Sequence, residues 1–160
     1  MLNILFLCTG NSCRSIMAEA ILNHYGYNKF RAYSAGSFPT GEVHPISIKT
    51  LKANNILNEN FYSKSWDEFN NIDVDIVITV CNNAENETCP LFLGKAIKAH
   101  WGVPDPAKFA DSEEEITTEF NRIFYMLKKH ITDFINLPTE NMSQQELEKA
   151  LHNIGLSNEQ

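Results

Sequence analysis

The chain has 160 residues, 43% of them apolar, and its 13 basic and 20 acidic side chains give a net charge of −7. This length supports one hydrophobic core and is too short for two ordinary domains. Because there is no excess of Lys or Arg to neutralise phosphates, we expect no nucleic-acid partner. The apolar run Ile4–Cys8 is too short to span a bilayer and follows no positive segment, so it predicts a strand rather than a membrane anchor or signal peptide.

Short apolar runs alternate with helical patterns, which predicts a parallel sheet covered by helices. Helical periodicity starts at Ser15 and stops at Gly26, and Pro45 starts a second helix. Ligands of such sheets bind beyond the carboxyl ends of the strands. The predicted strands are Asn3–Cys8, Arg31–Ser34, Ile72–Val80 and Ala96–His100, and the residues that emerge at their carboxyl ends include Cys8, Cys81 and Asp105.

Two capping boxes predict helices near the C-terminus. Ser112 with Glu115, and Ser143 with Glu146, have the spacing in which the Ser and Glu side chains satisfy each other's backbone amides. The first box starts a long helix in a region that Pro138 ends, and the second starts a short helix. The apolar residues expected to face the core from the long helix are Ile116, Phe120, Ile123, Phe124, Leu127 and Ile131.

The strongest signal is the anion loop, by which we mean residues 8–15, Cys-Thr-Gly-Asn-Ser-Cys-Arg-Ser. Five residues separate Cys8 from Arg14, so the loop can curl with its amides facing one centre, the thiol beneath and the guanidinium above. Gly10 and Asn11 tolerate the positive φ that this requires. With the following helix N-terminus, the loop would bind a tetrahedral oxyanion and lower the pKa of Cys8.

Ser15 has two interpretations in this loop, as a hydrogen-bond donor to the Cys8 sulfur or as a helix cap. Cys8 itself has an alternative interpretation as a buried structural cysteine, with Arg14 as an ordinary surface residue. The spacing alone does not exclude that alternative. The preceding strand, the Gly-Asn turn and the following helix together favour the oxyanion site.

The segment Leu5–Ala20 resembles the active-site loop of the low-molecular-weight protein tyrosine phosphatase superfamily, and its Thr-Gly-Asn-Ser-Cys-Arg-Ser portion resembles the arsenate reductases of that fold. The resemblance covers residues 1–137 and implies a three-layer α/β/α domain with a four-stranded parallel sheet. Residues 138–160 exceed that domain, and we expect them to form a short helical extension packed on it. The segments that continue the resemblance are Tyr33–Gly36, Val80-Cys81, His100–Gly102 and Asp105–Ala107.

The resemblance also implies roles for individual residues. Cys8 would be the nucleophile, and Arg14 would bind the oxyanion. Asp105, between two prolines, would be the general acid, although Asp-Pro alone is equally typical of a turn. The residues implied to bind substrate are Thr9, Gly10, Asn11, Ser12, Cys13 and Arg14.

Two further cysteines separate a reductase from a phosphatase, because a reductase needs additional thiols to supply two electrons. The resemblance implies that Cys81 attacks arsenylated Cys8 and that Cys89 then attacks Cys81. Seven residues separate Cys81 from Cys89, whereas thioredoxin-coupled members of the group have six. The alternative is that both are buried apolar thiols, and we interpret Cys13 as filling space behind the loop.

The potassium site of some relatives is not expected in this chain. Asn11, Glu19 and Ser34 match three of its ligands, but Lys64 stands where the fourth ligand is acidic, so its ammonium would take the place of the ion. The five histidines have no metal-ligand spacing with the cysteines, so we expect no metal centre.

These observations predict a cytoplasmic, monomeric arsenate reductase without a bound cofactor. Its partners would be arsenate and an external thiol reductant, whether thioredoxin, glutaredoxin or a small thiol. A phosphotyrosine phosphatase is the alternative enzyme, although Ala107 and Lys108 stand where phosphatases usually have aromatic residues. An oxyanion-binding protein without catalysis is the third interpretation.

Overall fold

Four parallel strands and four α-helices make up the described part of the computed structural model, which covers residues 1–57, 60–81, 93–108 and 112–156. The strands lie in the order β2-β1-β3-β4, which confirms the predicted α/β fold with a four-stranded parallel sheet. The strands are β1 (Leu2–Leu7), β2 (Phe30–Ala35), β3 (Ile76–Thr79) and β4 (Ile97–His100). The helices are α1 (Arg14–Tyr25), α2 (Pro45–Ala53), α3 (Glu113–Ile135) and α4 (Gln144–Leu156).

The central strand β1 is covered on both faces of the sheet. On one face Phe6 contacts Trp101, with ring centroids 6.1 Å apart, and α1 packs against α3 on this side. On the opposite face Tyr33, which is paired in register with Leu5, contacts Phe69 of a short 3-10 helix at a centroid distance of 5.3 Å. The alternation of side chains along parallel strands therefore supplies two apolar layers, as burial on both faces requires.

Both predicted serines cap their helices, and the capping box is complete at Ser143. The Ser112 hydroxyl accepts a hydrogen bond from the Glu115 amide at 3.2 Å, and α3 begins at the next residue. At α4 the exchange is reciprocal, because the Ser143 amide donates to the Glu146 carboxylate at 2.8 Å and the Glu146 amide donates to the Ser143 hydroxyl at 3.1 Å. These bonds to Ser143 lower the pKa of the Glu146 carboxyl. No helix in the described ranges is long and apolar enough to cross a membrane.

The strand predicted over Ile72–Val80 is shorter in the structure. β3 begins only at Ile76, because Asp75 uses its side chain as well as its backbone to contact the neighbouring strand. The Asp75 carboxylate accepts the Asn3 amide at 2.8 Å, while the Asp75 amide donates to the Asn3 carbonyl at 2.9 Å. Residue 72 belongs to a turn instead, with its amide bonded to the Phe69 carbonyl.

A fully buried histidine lies between α3 and the sheet. The His130 ring lies 5.4 Å from the Trp101 ring and next to the Ile154 backbone of α4. Burial, with a smaller contribution from Lys129, lowers the pKa of His130 from 6.5 to about 4. His130 is therefore held neutral inside the core at neutral pH.

His130 makes the free energy of unfolding depend on pH. Its folded-state pKa lies below the unfolded value, so the unfolded chain binds more protons between pH 6.5 and 4, and stability falls as the pH falls through that window. Between pH 7 and pH 4, His130→Phe should lose about 3 kcal/mol less stability than the parent, which chemical denaturation at a series of pH values would measure. His152→Gln, at an exposed histidine, is the control, and parallel profiles for His130→Phe and the parent would contradict this prediction.

Candidate active site

The carboxyl ends of two adjacent strands bring two cysteines together. Cys8 directly follows β1 and Cys81 lies two residues beyond β3, its parallel neighbour. The Cys81 sulfur lies 3.5 Å from the Thr9 backbone nitrogen and 3.9 Å from the Thr9 hydroxyl oxygen. Both cysteines are buried, with 5% of Cys8 and 3% of Cys81 exposed. The two thiols predicted to react in sequence thus meet at one edge of the sheet.

Asn11 sets the path of the anion loop. It is fully buried with φ = 46°, a left-handed conformation that Asn adopts more readily than most residues. Its backbone amide donates to the Cys8 carbonyl at 3.1 Å. Its side-chain amide donates to the Ser15 hydroxyl at 2.8 Å, and its side-chain oxygen accepts the Lys64 backbone amide at 2.9 Å. Ser15 therefore supports Asn11, while the residue at the N-cap of α1 is Cys13, without a side-chain cap.

The carbonyl groups of the anion loop are held from its outer side. The carbonyl and the N–H of a trans peptide point in opposite directions, so carbonyls bound outside turn the N–H groups that follow them away from the outer side. The N–H groups of Gly10 and Cys13 therefore face the centre of the loop, whereas that of Asn11 donates to the Cys8 carbonyl. The outward bonds run from the Phe38 amide to the Thr9 carbonyl, from the Thr40 amide to the Gly10 carbonyl, and from the His44 amide and Ser47 hydroxyl to the Ser12 carbonyl, at 3.0 to 3.2 Å.

Gly36 allows the end of β2 to lie directly against the start of the anion loop. A Cβ atom at this position would be 2.3 Å from the Thr9 carbonyl oxygen and 2.6 Å from the Cys8 carbonyl oxygen, both too short for any side chain. The Gly36 amide also donates to the Lys64 carbonyl at 2.9 Å. The close approach therefore brings together the loop, β2 and the segment that contains Lys64.

Arg14 lies between the anion loop and the loop that carries Asp105. Its Nη1 donates to the Val103 carbonyl at 3.1 Å, and its Nη2 lies 3.7 Å from the Asp105 carboxylate. The Arg14 Nε–H is buried and has no hydrogen-bond partner among the described residues. A buried cationic donor without a partner is costly, and a bound oxyanion would supply the missing acceptor.

Asp105 has features expected of a turn residue and features expected of a general acid. One carboxylate oxygen accepts the Ala107 amide at 3.0 Å, which stabilises the turn at residues 106–108, while the other faces Arg14. About a quarter of the side chain is exposed. Asp105 is therefore a turn residue whose second oxygen points at the guanidinium that would hold an oxyanion.

Comparison with known proteins identifies the family. A family model described as low molecular weight phosphotyrosine protein phosphatase matches residues 3–152. The chain belongs to this family. Within it, an arsenate reductase from Shouchella clausii (strain KSM-K16) is 38% identical over 124 residues, which are 75% of this chain and 85% of the relative. That similarity places the chain among the arsenate reductases of the family.

Solved structures of arsenate reductases share the fold. An arsenate reductase in its oxidized state is 26% identical, with a TM-score of 0.70 over 84% of this chain and 97% of that one. A thioredoxin-dependent arsenate reductase from Corynebacterium glutamicum is 27% identical, with a TM-score of 0.58 over 82% of this chain and 62% of that one. The predicted phosphatase-like fold is therefore confirmed.

The pKa of the Cys8 thiol is raised in this arrangement, contrary to the lowered pKa expected from the anion loop alone. A hydrogen bond with Cys81 and burial both raise the pKa of Cys8, and the nearby Arg14 only partly opposes them. The Cys81 sulfur accepts from the Thr9 amide and is also hydrogen-bonded with Cys8.

Cys13 lies at the rear of the anion loop. Burial raises the pKa of its thiol, while hydrogen bonds with Ser47 and Ser12 lower it. These contacts suit the space-filling interpretation of Cys13. Cys89, the third cysteine of the predicted relay, lies outside the described residues.

Lys64 supplies a buried positive charge beneath the anion loop. Its ammonium donates to the Tyr62 carbonyl at 2.9 Å and to the Ser34 hydroxyl at 3.4 Å, and it lies 3.7 Å from the Glu19 carboxylate. Burial lowers the pKa of Lys64 and raises that of Glu19, and the attraction between the two opposes both shifts. The ammonium thus contacts Glu19 and Ser34, two of the residues that match potassium ligands in relatives, while the third, Asn11, accepts the Lys64 backbone amide. Within the described ranges, no three His, Cys, Asp or Glu residues are grouped to hold a metal ion.

Sequence reasoning missed two supports of the site. The first is the close approach of Gly36, for which the only local signal was a glycine directly after a predicted strand. The second is Trp101, a fully buried side chain at the start of the Asp105 loop whose indole N–H donates to the Leu151 carbonyl of α4. That contact joins residues 50 positions apart, and no local pattern indicates it.

Removing the Lys64 charge should destabilise the protein far more than removing a surface lysine. Lys64→Met leaves the Glu19 carboxylate without its cation, so we expect a loss of about 2–4 kcal/mol in the free energy of unfolding. Lys49→Met, which breaks an exposed ion pair with Glu113, is the matched control and should cost less than about 1 kcal/mol. Both are measured by chemical denaturation.

A second expectation from the Lys64 ammonium concerns added salt. The stability and activity of the parent should be the same in KCl and NaCl of equal concentration. A specific stimulation of the parent by potassium would contradict this interpretation of Lys64.

Proposed function

We propose that the protein reduces arsenate to arsenite, with Cys8 as nucleophile and Cys81 as the thiol that resolves the adduct. The observation that carries the proposal is the hydrogen-bonded contact of the Cys81 sulfur with Cys8 and Thr9. A phosphatase needs one thiol and water, whereas reduction needs a second thiol within reach of the first. The arsenate reductase relatives support the same conclusion.

In the first step the enzyme binds arsenate, and the Cys8 sulfur forms a bond with arsenic. The N–H groups of Gly10 and Cys13 and the unpartnered Nε–H of Arg14 would hold the oxyanion above Cys8. Ser15 contributes by holding Asn11. The Cys8 thiolate attacks arsenic and forms an S–As bond, and one arsenate oxygen leaves as water after it takes a proton from Asp105. The Cys8 proton would pass to an oxygen of the bound arsenate as the S–As bond forms, and the Cys81 proton would leave with arsenite in the next step.

The second step is the reduction itself. The Cys81 thiolate attacks the Cys8 sulfur, forming an S–S bond while the S–As bond breaks. The electron pair of the S–As bond stays on arsenic, which falls from As(V) to As(III) and leaves as arsenite. The two sulfurs are oxidised to a disulfide, so electrons balance. The Thr9 amide, 3.5 Å from the Cys81 sulfur, would stabilise the attacking thiolate.

The third step regenerates the nucleophile. The Cys89 thiolate would attack Cys81, release Cys8 and leave a Cys81–Cys89 disulfide for an external thiol reductant to reduce. The thioredoxin-dependent relative favours thioredoxin as that donor over glutaredoxin or a small thiol. We propose that the enzyme acts as a monomer in the cytoplasm, where thiols remain reduced.

A slow phosphatase activity follows from the same groups. Cys8, Arg14 and Asp105 form a nucleophile, an anion clamp and an acid, which suffice for hydrolysis of a small aryl phosphate. Residues 107 and 108, Ala and Lys, provide no aromatic ring to contact a phosphotyrosine side chain. Protein tyrosine phosphatase activity is the second candidate function, and the absence of this aromatic ring argues against it.

The cysteine relay predicts different outcomes for three serine variants. Cys8→Ser should abolish both arsenate reduction and aryl phosphate hydrolysis, because a serine hydroxyl is not ionised at neutral pH. Cys81→Ser should stop arsenite turnover but retain aryl phosphate hydrolysis. Cys89→Ser should yield about one arsenite per enzyme and accumulate a Cys8–Cys81 disulfide, which mass spectrometry of an unreduced digest detects.

Cys13→Ser is the control for the loss of a buried thiol, and it should keep turning over with thioredoxin. Continued turnover of Cys89→Ser with thioredoxin as the sole reductant would show that the relay ends at Cys81. Turnover by Cys81→Ser would contradict the proposal as a whole.

Arg14→Lys should lose oxyanion affinity although the charge is kept. A lysine has no equivalent of the buried Nε–H and cannot span both the Val103 carbonyl and an oxyanion in a planar fork. We expect kcat/KM for arsenate to fall by at least about 100-fold, the loss typical of a charged contact that stabilises the transition state. Steady-state kinetics with arsenate would measure the loss, and near-normal kinetics would mean that the loop amides alone bind the substrate.

A further inference from the structure

Trp101 joins the C-terminal helix to the acid loop, by which we mean residues 101–105. The indole Nε1–H donates to the Leu151 carbonyl of α4 at 3.0 Å, and the side chain is fully buried. The Trp101 backbone amide donates to the Thr79 carbonyl at the end of β3, at 2.7 Å. The start of the acid loop is therefore held from the sheet through its backbone and from α4 through its side chain.

Gly155 provides a second, independent contact between α4 and the same point. A Cβ at this position would be 2.5 Å from the His100 carbonyl oxygen and 3.0 Å from the Trp101 ring, so the helix lies directly on the backbone where the acid loop begins. A glycine within a helix costs about 1 kcal/mol relative to alanine. At residue 155 this cost is offset by a close approach that alanine would prevent.

The backbone between Trp101 and Asp105 is restrained at several points. The Val103 amide donates to the Val80 carbonyl at 3.2 Å, and the Val103 carbonyl accepts from Arg14 at 3.1 Å. Prolines on both sides of Asp105 restrict the remaining backbone. A shift of Trp101 is therefore transmitted along the acid loop to the carboxyl group.

We propose that Trp101 and α4 act as a positioning device that places the Asp105 carboxyl group over the anion loop. Trp101 touches no substrate and acts through Asp105, so it is a positioning residue. The proposal rests on the proposed role of Asp105 as general acid. General acid catalysis requires the carboxyl group within hydrogen-bond reach of the leaving oxygen, and a misplacement of about 1 Å can cost up to about 100-fold in rate.

The test compares two aryl phosphates that differ in their need for an acid. Phenolate must be protonated as it leaves, whereas 4-nitrophenolate leaves readily without a proton. The measured quantity is the kcat/KM for phenyl phosphate divided by the kcat/KM for 4-nitrophenyl phosphate. This ratio does not depend on the concentration of folded enzyme, so partial unfolding of a variant leaves it unchanged.

Trp101→Phe keeps an aromatic ring but removes the donor to Leu151, and we expect the ratio to fall about tenfold. Gly155→Ala raises helix propensity but displaces α4, and we expect a fall of about threefold. Asn153→Ala, at an exposed position on the same turn of α4, is the control and should leave the ratio unchanged. The double variant Trp101→Phe/Asp105→Asn should have the same ratio as Asp105→Asn, because both changes act on one group.

The outcomes separate the positioning proposal from the role of Asp105. An unchanged ratio in Asp105→Asn would overturn the assignment of the general acid. A lowered ratio in Asp105→Asn with an unchanged ratio in Trp101→Phe and Gly155→Ala would overturn the positioning role alone. A double variant with a lower ratio than Asp105→Asn would also overturn it, since Trp101 would then act independently of the acid.

If the parent does not hydrolyse aryl phosphates, the proposed side activity is contradicted. The variants are then compared with the parent by the rate of arsenite release in a single turnover. In that assay Trp101→Phe should lose about tenfold in rate. The double variant should lose no more than Asp105→Asn, and equal rates for Trp101→Phe and the parent would overturn the proposal.

Discussion

The geometry of the anion loop depends on hydrogen bonds made on its outer side. A loop that turns its amides inward leaves its carbonyls facing the protein, where each needs a donor. Neighbouring segments supply those donors to the carbonyls of Thr9, Gly10 and Ser12. The ability of the loop to bind an anion therefore depends on the surrounding fold, since the carbonyls of Thr9, Gly10 and Ser12 take their donors from outside the loop.

The parallel sheet determines which residues meet above this loop. Adjacent parallel strands end at the same edge, so Cys8 and Cys81 come together although Thr9 and its sulfur contact are 72 positions apart in the sequence. Burial and the hydrogen bond between the two cysteines both favour the protonated form of Cys8. The nucleophile and the resolving thiol are thus coupled electrostatically as well as spatially, and the raised pKa of Cys8 reports that coupling.

The features that could be predicted from the sequence are those with local signals. Spacing within a few residues predicts the helix caps at Ser112 and Ser143, the anion loop, and the order of strands and helices along the chain. The start of β3 could not be predicted, because the Asp75 carboxylate bonds to another strand. The pKa direction of Cys8 was wrong for a similar reason, since loop and helix favour a thiolate while Cys81 and burial oppose it.

The supports of the site escaped prediction because they depend on contacts between distant segments. Gly36 and Gly155 are important for the space they leave for another backbone, and a sequence does not reveal what lies opposite a glycine. In the sequence Trp101 cannot be distinguished from any other core residue, and only the position of α4 gives its indole N–H an acceptor. Residues that build a site are thus easier to recognise from sequence than residues that hold it in place.

The Lys64 ammonium has a further consequence for how the site responds to its surroundings. A dissolved cation occupies a site according to its concentration, whereas a side chain tethered by a few bonds is present at an effective concentration that ordinary salts do not reach. The charge beside Glu19 and Ser34 is therefore delivered by folding and does not vary with the ionic composition of the medium. The cation at this position is therefore part of the chain itself. Replacing Lys64 would leave the position to dissolved cations, which would occupy it according to their concentration.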